Sequence, residues 1–380
     1  MNRFIFTFIL AMTLISVNSF AQEMAVATIP APAKAEAVEP TTTGQPEEAV
    51  EETEEKPFEI SGFVDAYYQY GFQKTPFITS FTPDHNSFAL GMANVVLKKE
   101  GKVGFVADLA FGPRAEGANG YAGENGLNQL SLIKQLFVTY APSEKVTFTL
   151  GNFSTFVGYE VIDAPGNINY STSYMFTNGP FYHTGLKMDF AASENFGIMV
   201  GVFNDTDTKI DEVPGKHFGA QLSFSTGGLS AYLNYLGGKV AEADEITGDQ
   251  FLHQVDLTAT YDVSDVFGLG LNVTNRSWAV DKGDGFGWSG AALYAKYAIS
   301  DAFTLGLRGE QIFDQDGVIL GVPDNSITAL TLSGNIHIGN LTLIPEFRAD
   351  LGKKDDSYLD GDGNGVKSLT GFIFGAYYAF

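Results

Sequence analysis

The sequence predicts an all-β chain, a transmembrane antiparallel β-barrel of about sixteen strands with short periplasmic turns and long external loops. Three observations carry this. From Phe58 onward, segments of roughly ten to fourteen residues place an apolar or aromatic residue at every second position, the period of a strand and not of a helix. One face of these segments is Leu, Val, Phe and Tyr while the other carries charge, which suits lipid outside and water inside. The polar breaks between segments alternate between tight turns and long loops.

In chain order the segments begin near Phe58, Ser87, Lys102, Leu130, Lys145, Phe181, Asn195, Lys216, Gly228, Gln250, Val266, Phe286, Ala302, Ser326, Leu341 and Lys367. The first sets Ile60, Val64, Ala66, Tyr68, Tyr70 and Phe72 against Glu59, Ser61, Asp65 and Gln69. Phe303, Leu305 and Leu307 oppose Thr304, Arg308 and Glu310 in the same way, and Leu341, Leu343, Phe347, Ala349 and Leu351 oppose Thr342, Glu346, Arg348 and Asp350. Phe88 to Lys99 resists a facing, because Asn94 interrupts one side and Lys99 lies on the other. Pro345 predicts a bulge in its strand, since proline removes a ladder donor. Tight turns fall at Glu100-Gly101, Pro142 to Glu144, Ser193-Glu194, Thr226-Gly227, Ser264-Asp265, Ser300-Asp301 and Gly339-Asn340; the largest loops are Phe72 to Asn86, Gly112 to Gln129, Thr155 to Pro180 and Gly352 to Val366. A soluble sandwich would use strands of about 5 to 6 residues and hide the apolar face.

Ahead of the barrel, Arg3, an apolar run from Phe4 to Val17 and Ser19-Phe20-Ala21 form a secretory signal peptide, residues 1–21, cleaved after Ala21. The run is too short for the roughly 20 residues of a membrane-spanning helix. Residues 22–57 turn to Ala, Pro, Thr and Glu, a solvated leader with too little apolar surface to order itself. Nine of the 45 acidic residues and three of the 22 basic ones lie before Phe58, so the barrel segment holds 36 against 19 and is itself acidic. That balance argues against nucleic-acid binding. With no cysteine, disulfides, lipid attachment at Cys and thiolate metal sites are excluded.

The last segment, Ser368 to Phe380, aligns Phe372, Phe374, Ala376, Tyr378 and Phe380 on one face and ends on an aromatic residue. It looks like the terminal signal read by the outer-membrane barrel assembly machinery, which makes that machinery an expected partner beside membrane lipid. Three stretches then carry a resemblance: SGFVDAYYQYGF from Ser61, HNSFALGMANVVLKKEG from His85 and GNFSTFVGYEVIDAPGNINYSTSYMFTNGPFYHTGLK from Gly151. They resemble the second type of β-barrel porin of bacterial outer membranes, over about Phe58 to Phe380. The resemblance implies a water-filled porin, with no catalytic residue or cofactor to carry over; trimers are an expectation by fold analogy. The acidic leader departs from the family pattern.

A barrel of this strand count leaves an aqueous channel, so the expected function is passive diffusion of small hydrophilic solutes, the alternatives being a substrate-specific or gated channel, a closed structural or adhesive barrel, and an outer-membrane hydrolase. The lumen is expected to expose Asp65, Asp108, Lys187, Asp256, Arg308, Glu310, Glu346, Arg348 and Asp350 to a water column, and an acidic pore favours cations. Thr155 to Pro180 is too long and too apolar to stay solvated, so it is expected to fold into the lumen and narrow it, presenting Tyr159, Glu160 and Asp163 opposite Arg308 and Arg348. Asp360, Asp362 and Asn364 copy part of a calcium loop, but Gly371 stands where a bidentate Glu is required. A hydrolase would need a Ser and a His brought together on the barrel exterior, where His253 lies in register, and no G-x-S-x-G elbow is present.

Overall fold

A computed structural model describes residues 57–120, 129–210, 215–240 and 248–380. The expected signal peptide and the expected leader up to Lys56 lie outside the described residues. The strands are β1 Glu59–Gly71, β2 Ser87–Lys99, β3 Val103–Phe111, β4 Ile133–Ser143, β5 Val146–Ser154, β6 Tyr182–Ala191, β7 Phe196–Phe203, β8 His217–Thr226 and β9 Leu229–Lys239. They continue with β10 Gln250–Ser264, β11 Phe267–Val280, β12 Phe286–Ser300, β13 Phe303–Asp314, β14 Asn325–Ile338, β15 Leu341–Gly352, a two-residue hairpin of β16 Tyr358–Leu359 with β17 Gly365–Val366, and β18 Ser368–Ala379. Apart from the hairpin, sixteen strands pair antiparallel with their chain neighbours, and β18 closes onto β1. The closing ladder sets Ala66 opposite Ala376 and Tyr68 opposite Phe374, and Gly62 and Phe380 exchange backbone hydrogen bonds at its end. Closure leaves no unpaired strand edge in lipid, where each orphaned backbone group would cost several kcal/mol.

Alternation sorts the two faces. On β1, Val64 and Tyr70 point outward and are exposed, while Phe63, Asp65, Tyr67 and Gln69 point inward and are buried. On β15, Phe347 and Leu351 face outward and Glu346, Arg348 and Asp350 inward. Among the described residues the register shifts at five places, and two of these bulges re-aim side chains that matter to the lumen. Between Val64 and Ala66 the partner strand β2 holds one extra residue, so its outward positions change from Phe88 and Leu90 to Val95. That parity switch is why Phe88 to Lys99 shows no consistent face in sequence. Asp65 secures the bulge by accepting the Met92 amide at 2.5 Å, and a Cβ on Gly91 would overlap that carboxylate. The second bulge lies in β4, where Asp108 pairs with Gln135 and Leu109 with Ile133, leaving Lys134 over and turning it inward.

The bulge expected at Pro345 is absent. Register between β14 and β15 runs without a shift; only the pairs at Gly334 and Asn335 drop out, and Pro345 still pairs with Phe374 of β18. The missing donor is absorbed as a local gap in one ladder.

Candidate functional site in the loop-filled lumen

The segment between β5 and β6, residues 155–181, enters the barrel and touches inward residues of strands on all sides. Its regular structure is a 3-10 turn at Ala164–Gly166 and a single α-helical turn at Tyr174–Thr177, the latter capped where Ser173 Oγ accepts the Phe176 amide at 3.0 Å. Glu310 accepts the amides of Tyr174 and Met175 at 3.0 and 2.9 Å. Glu346 accepts those of Tyr170 and Ser171 at 2.8 and 3.2 Å, and Asp256 that of Gly158 at 3.0 Å. Wall carboxylates thus satisfy backbone donors that an irregular buried segment cannot pair with itself. Tyr159 stacks on Tyr294 at 4.1 Å between ring centroids. Tyr159 and Tyr170 also lie against inward Gly270 and Gly375, where a Cβ would overlap each ring.

Ion pairs fix the rest. Glu160 meets Arg308 at 2.5 Å, and Arg308 also donates to the Ser171 carbonyl at 2.6 Å. Arg348 pairs with its strand neighbour Asp350 at 2.8 Å and donates to the Thr172 carbonyl at 2.8 Å, while Asp350 accepts from Tyr174 Oη at 2.8 Å. Asp163 pairs not with Arg348 but with Lys134, which also holds Asp108 at 2.6 Å.

The expectation that these charges face a water column is corrected at this height. Asp65, Asp108, Asp256, Arg308, Glu310, Glu346, Arg348 and Asp350 are all buried, because loop atoms occupy the space in front of them. The loop at residues 72–86 joins the packing through Phe77 and Phe81, with Ser80 donating its amide to Thr177 Oγ1 at 2.9 Å. Between the segment and β10–β11 lies a slot of about 10 Å³, lined by residues including Val157, Gly158, Met175, Gln254, Asp256, Asn272 and Thr274; that is room for about one water. Lys187 stands apart, paired with Asp189 at 3.1 Å and partly open.

Sequence reasoning missed three contributors. Arg114 lies in the short helix Pro113–Asn119 and reaches Asp65 at 3.3 Å and the Ile162 carbonyl at 3.1 Å. Tyr170 donates to Asp65 at 2.6 Å, making that carboxylate the junction of bulge, helix and inserted segment. Strict alternation with the outward Leu136 and Val138 would turn Lys134 outward, and only its bulge turns it inward. An arginine inside an otherwise polar loop was the one signal that could have been read. As for the calcium-like loop, Asp360 Oδ1 accepts the amides of Asp362 and Asn364 at 2.9 and 2.8 Å, and Asp362 pairs with Lys74 at 2.8 Å. His253, outward on β10, bonds Tyr235 Oη at 3.0 Å.

No curated protein matches the sequence. Solved structures share the fold at low identity. An anion-selective porin from Comamonas acidovorans superposes with TM-score 0.59 at 16% identity, covering 85% of this chain and 99% of that one. The outer membrane channel DcaP of Acinetobacter baumannii gives 0.58 at 16%, covering 85% and 97%. OmpT, an outer membrane protein of Vibrio cholerae, gives 0.55 at 12%, covering 85% and 97%. The family model described as "Putative beta-barrel porin-2, OmpL-like" matches residues 57–380, the whole closed barrel, and the chain belongs to this family of outer-membrane porins.

Proposed function

We propose that the barrel passes small hydrophilic solutes down their gradients without a catalytic step, along a path narrowed by residues 155–181 and favouring cations. The observation that carries this reading is the inserted segment itself, tied by Glu160, Tyr170 and Tyr174 to wall residues on β13, β1 and β15. Cation preference draws on the inward charges at that height: Asp65, Asp108, Glu160, Asp163, Asp256, Glu310, Glu346 and Asp350 outnumber Arg114, Lys134, Arg276, Arg308 and Arg348. Export by the amino-terminal signal, assembly through the strand ending at Phe380, and a trimeric state complete the proposal.

The narrow slot favours a second reading within the same class, a gated channel whose segment shifts before solute passes. Recordings of purified protein in planar bilayers test both. Deleting Val161 to Thr177 is expected to raise single-channel conductance, and replacing Glu160 and Asp163 by Gln and Asn to reduce cation preference in a salt gradient. A parent protein without conductance would overturn the channel reading. A deletion variant that conducts and selects like the parent would place the constriction elsewhere.

A further inference from the structure

Four basic side chains at the height of the inserted segment, Arg114, Lys134, Arg308 and Arg348, each contact a carboxylate. Arg276, inward on β11 and only 8% exposed, does not. Its Nη1 donates to two neutral acceptors, the Asn178 carbonyl at 3.2 Å and Gln254 Oε1 at 3.3 Å. Its Nε is buried without a partner, and Nη2 makes no hydrogen bond among the described residues. Asp205 and Asp207 act on it only at longer range, since Asp207 is turned to the amides of Phe181 and Tyr182 and Asp205 to His217. A buried guanidinium with no carboxylate in contact is costly, and among the inward arginines only Arg276 is so placed.

A second orphan stands beside it. Trp288 of β12 lies directly opposite Arg276 in the ladder, is 3% exposed, and its indole N–H has no partner. Two adjacent inward donors without an acceptor call for an acceptor that carries negative charge. Gln254 and Thr274, which border the slot beside the inserted segment, adjoin Arg276 along the same wall. The face of Trp278 lies 5.3 Å from the guanidinium carbon and supplies an apolar flank.

We propose that Arg276 and Trp288 form an anion-recognition point in the lumen that takes the carboxylate of a small organic solute. The guanidinium offers two parallel donors matched to a planar carboxylate, and the indole N–H adds a third direction. The proposal rests on the channel reading for its purpose, while the binding itself is measurable without conduction. It also divides the lumen: fixed charge favours cations overall, and a single cationic point selects which anions bind.

The chain supplies its own reporter, because its two tryptophans are Trp278 and Trp288. Purified full-length protein in detergent, titrated with acetate or succinate, is expected to show a saturable change in tryptophan emission, with glycerol and chloride at equal concentration giving none. Arg276→Gln is expected to weaken the apparent affinity by about tenfold or more, and Arg276→Lys to retain part of it, since charge survives and the planar fork does not. In bilayers the carboxylate should reduce the current of the parent and not that of the Gln variant. Equal titrations of parent and Arg276→Gln, both showing heat-modifiable mobility, would overturn the proposal. If the Gln variant does not fold, unchanged affinity in both Arg276→Lys and Trp288→Phe would do so. Binding without conductance would instead count against the channel reading and leave the recognition point standing.

Discussion

The two halves of the lumen are built on the same strands and meet different fates. On β10 the inward residues Leu252, Gln254, Asp256 and Thr258 are buried, while Asp262, further along the same face toward the tight-turn rim, is exposed. On β12 Trp288, Ala292 and Tyr294 are buried and Lys296 is exposed. Alternation sets which way each side chain points, but the loops descending from the other rim set whether it meets water. The half near the long loops behaves as a protein core wrapped in a barrel. The half near the tight turns is a vestibule.

Substitutions break this contrast in graded ways. The largest effect is expected from Arg308→Met, which leaves the Glu160 carboxylate buried without its partner. Loss of one member of such a pair costs about 3–5 kcal/mol, so the segment should become protease-sensitive and channel current larger and noisier; an unchanged digestion pattern would mean the pair does not hold the segment. Next comes Gly375→Ala. Its Cβ would overlap the fully buried Tyr170 ring, an overpacking penalty of about 1–3 kcal/mol. Adding Tyr170→Ala removes the overlap, so the glycine substitution should cost nothing further in that background, as a thermal-unfolding cycle can check.

A smaller effect is expected with pH. Burial raises the Asp207 carboxyl from its ordinary 3.8 to about 6, although it accepts the Phe181 and Tyr182 amides. A carboxyl with its docked pKa raised favours the docked state in its protonated form. The contribution is full below about 3.8 and is lost as pH rises through 6. Burial lowers the nearby Lys209 ammonium to about 8, so it is already charged below pH 7 and its penalty stays constant there. Between pH 7.5 and 5 the protection of the Phe181 and Tyr182 amides, corrected for intrinsic exchange, should therefore rise by about tenfold. Asp207→Asn should flatten that profile. The smallest effect belongs to the vestibule: Lys296→Gln should leave thermal unfolding unchanged and shift the reversal potential slightly toward cations. A large stability loss there would erase the distinction between the halves.

How much of this was legible in the sequence follows the same divide. Every barrel strand begins within a few residues of where period-two patterning places it, and the tight turns fall at the expected breaks, because lipid on one side imposes the alternation directly. Patterning failed where an extra residue shifts parity. The bulge opposite Asp65 left the facing of Phe88 to Lys99 undecidable and the one at Lys134 hid a buried ammonium, while Pro345, which announced a bulge, produced none. In the site, Glu160 and Arg308 could be named from residue type and loop length. The Asp65, Arg114 and Tyr170 junction could not, since those three come together only through tertiary packing across 105 residues of chain from Asp65 to Tyr170.

That separation also orders the events of folding. Tyr170 meets Glu346 from 176 residues away and seats on Gly375, which belongs to the strand that closes the barrel. Its pocket does not exist until the last strand is made and joined to the first. The buried or half-buried apolar and aromatic side chains from Phe156 to Phe176 must therefore wait, exposed, through most of assembly. Contacts this distant in sequence form late and slowly. The wall is thus a mould completed before its casting is poured, and closure of the membrane barrel is the kinetic gate through which the lumen acquires its filling.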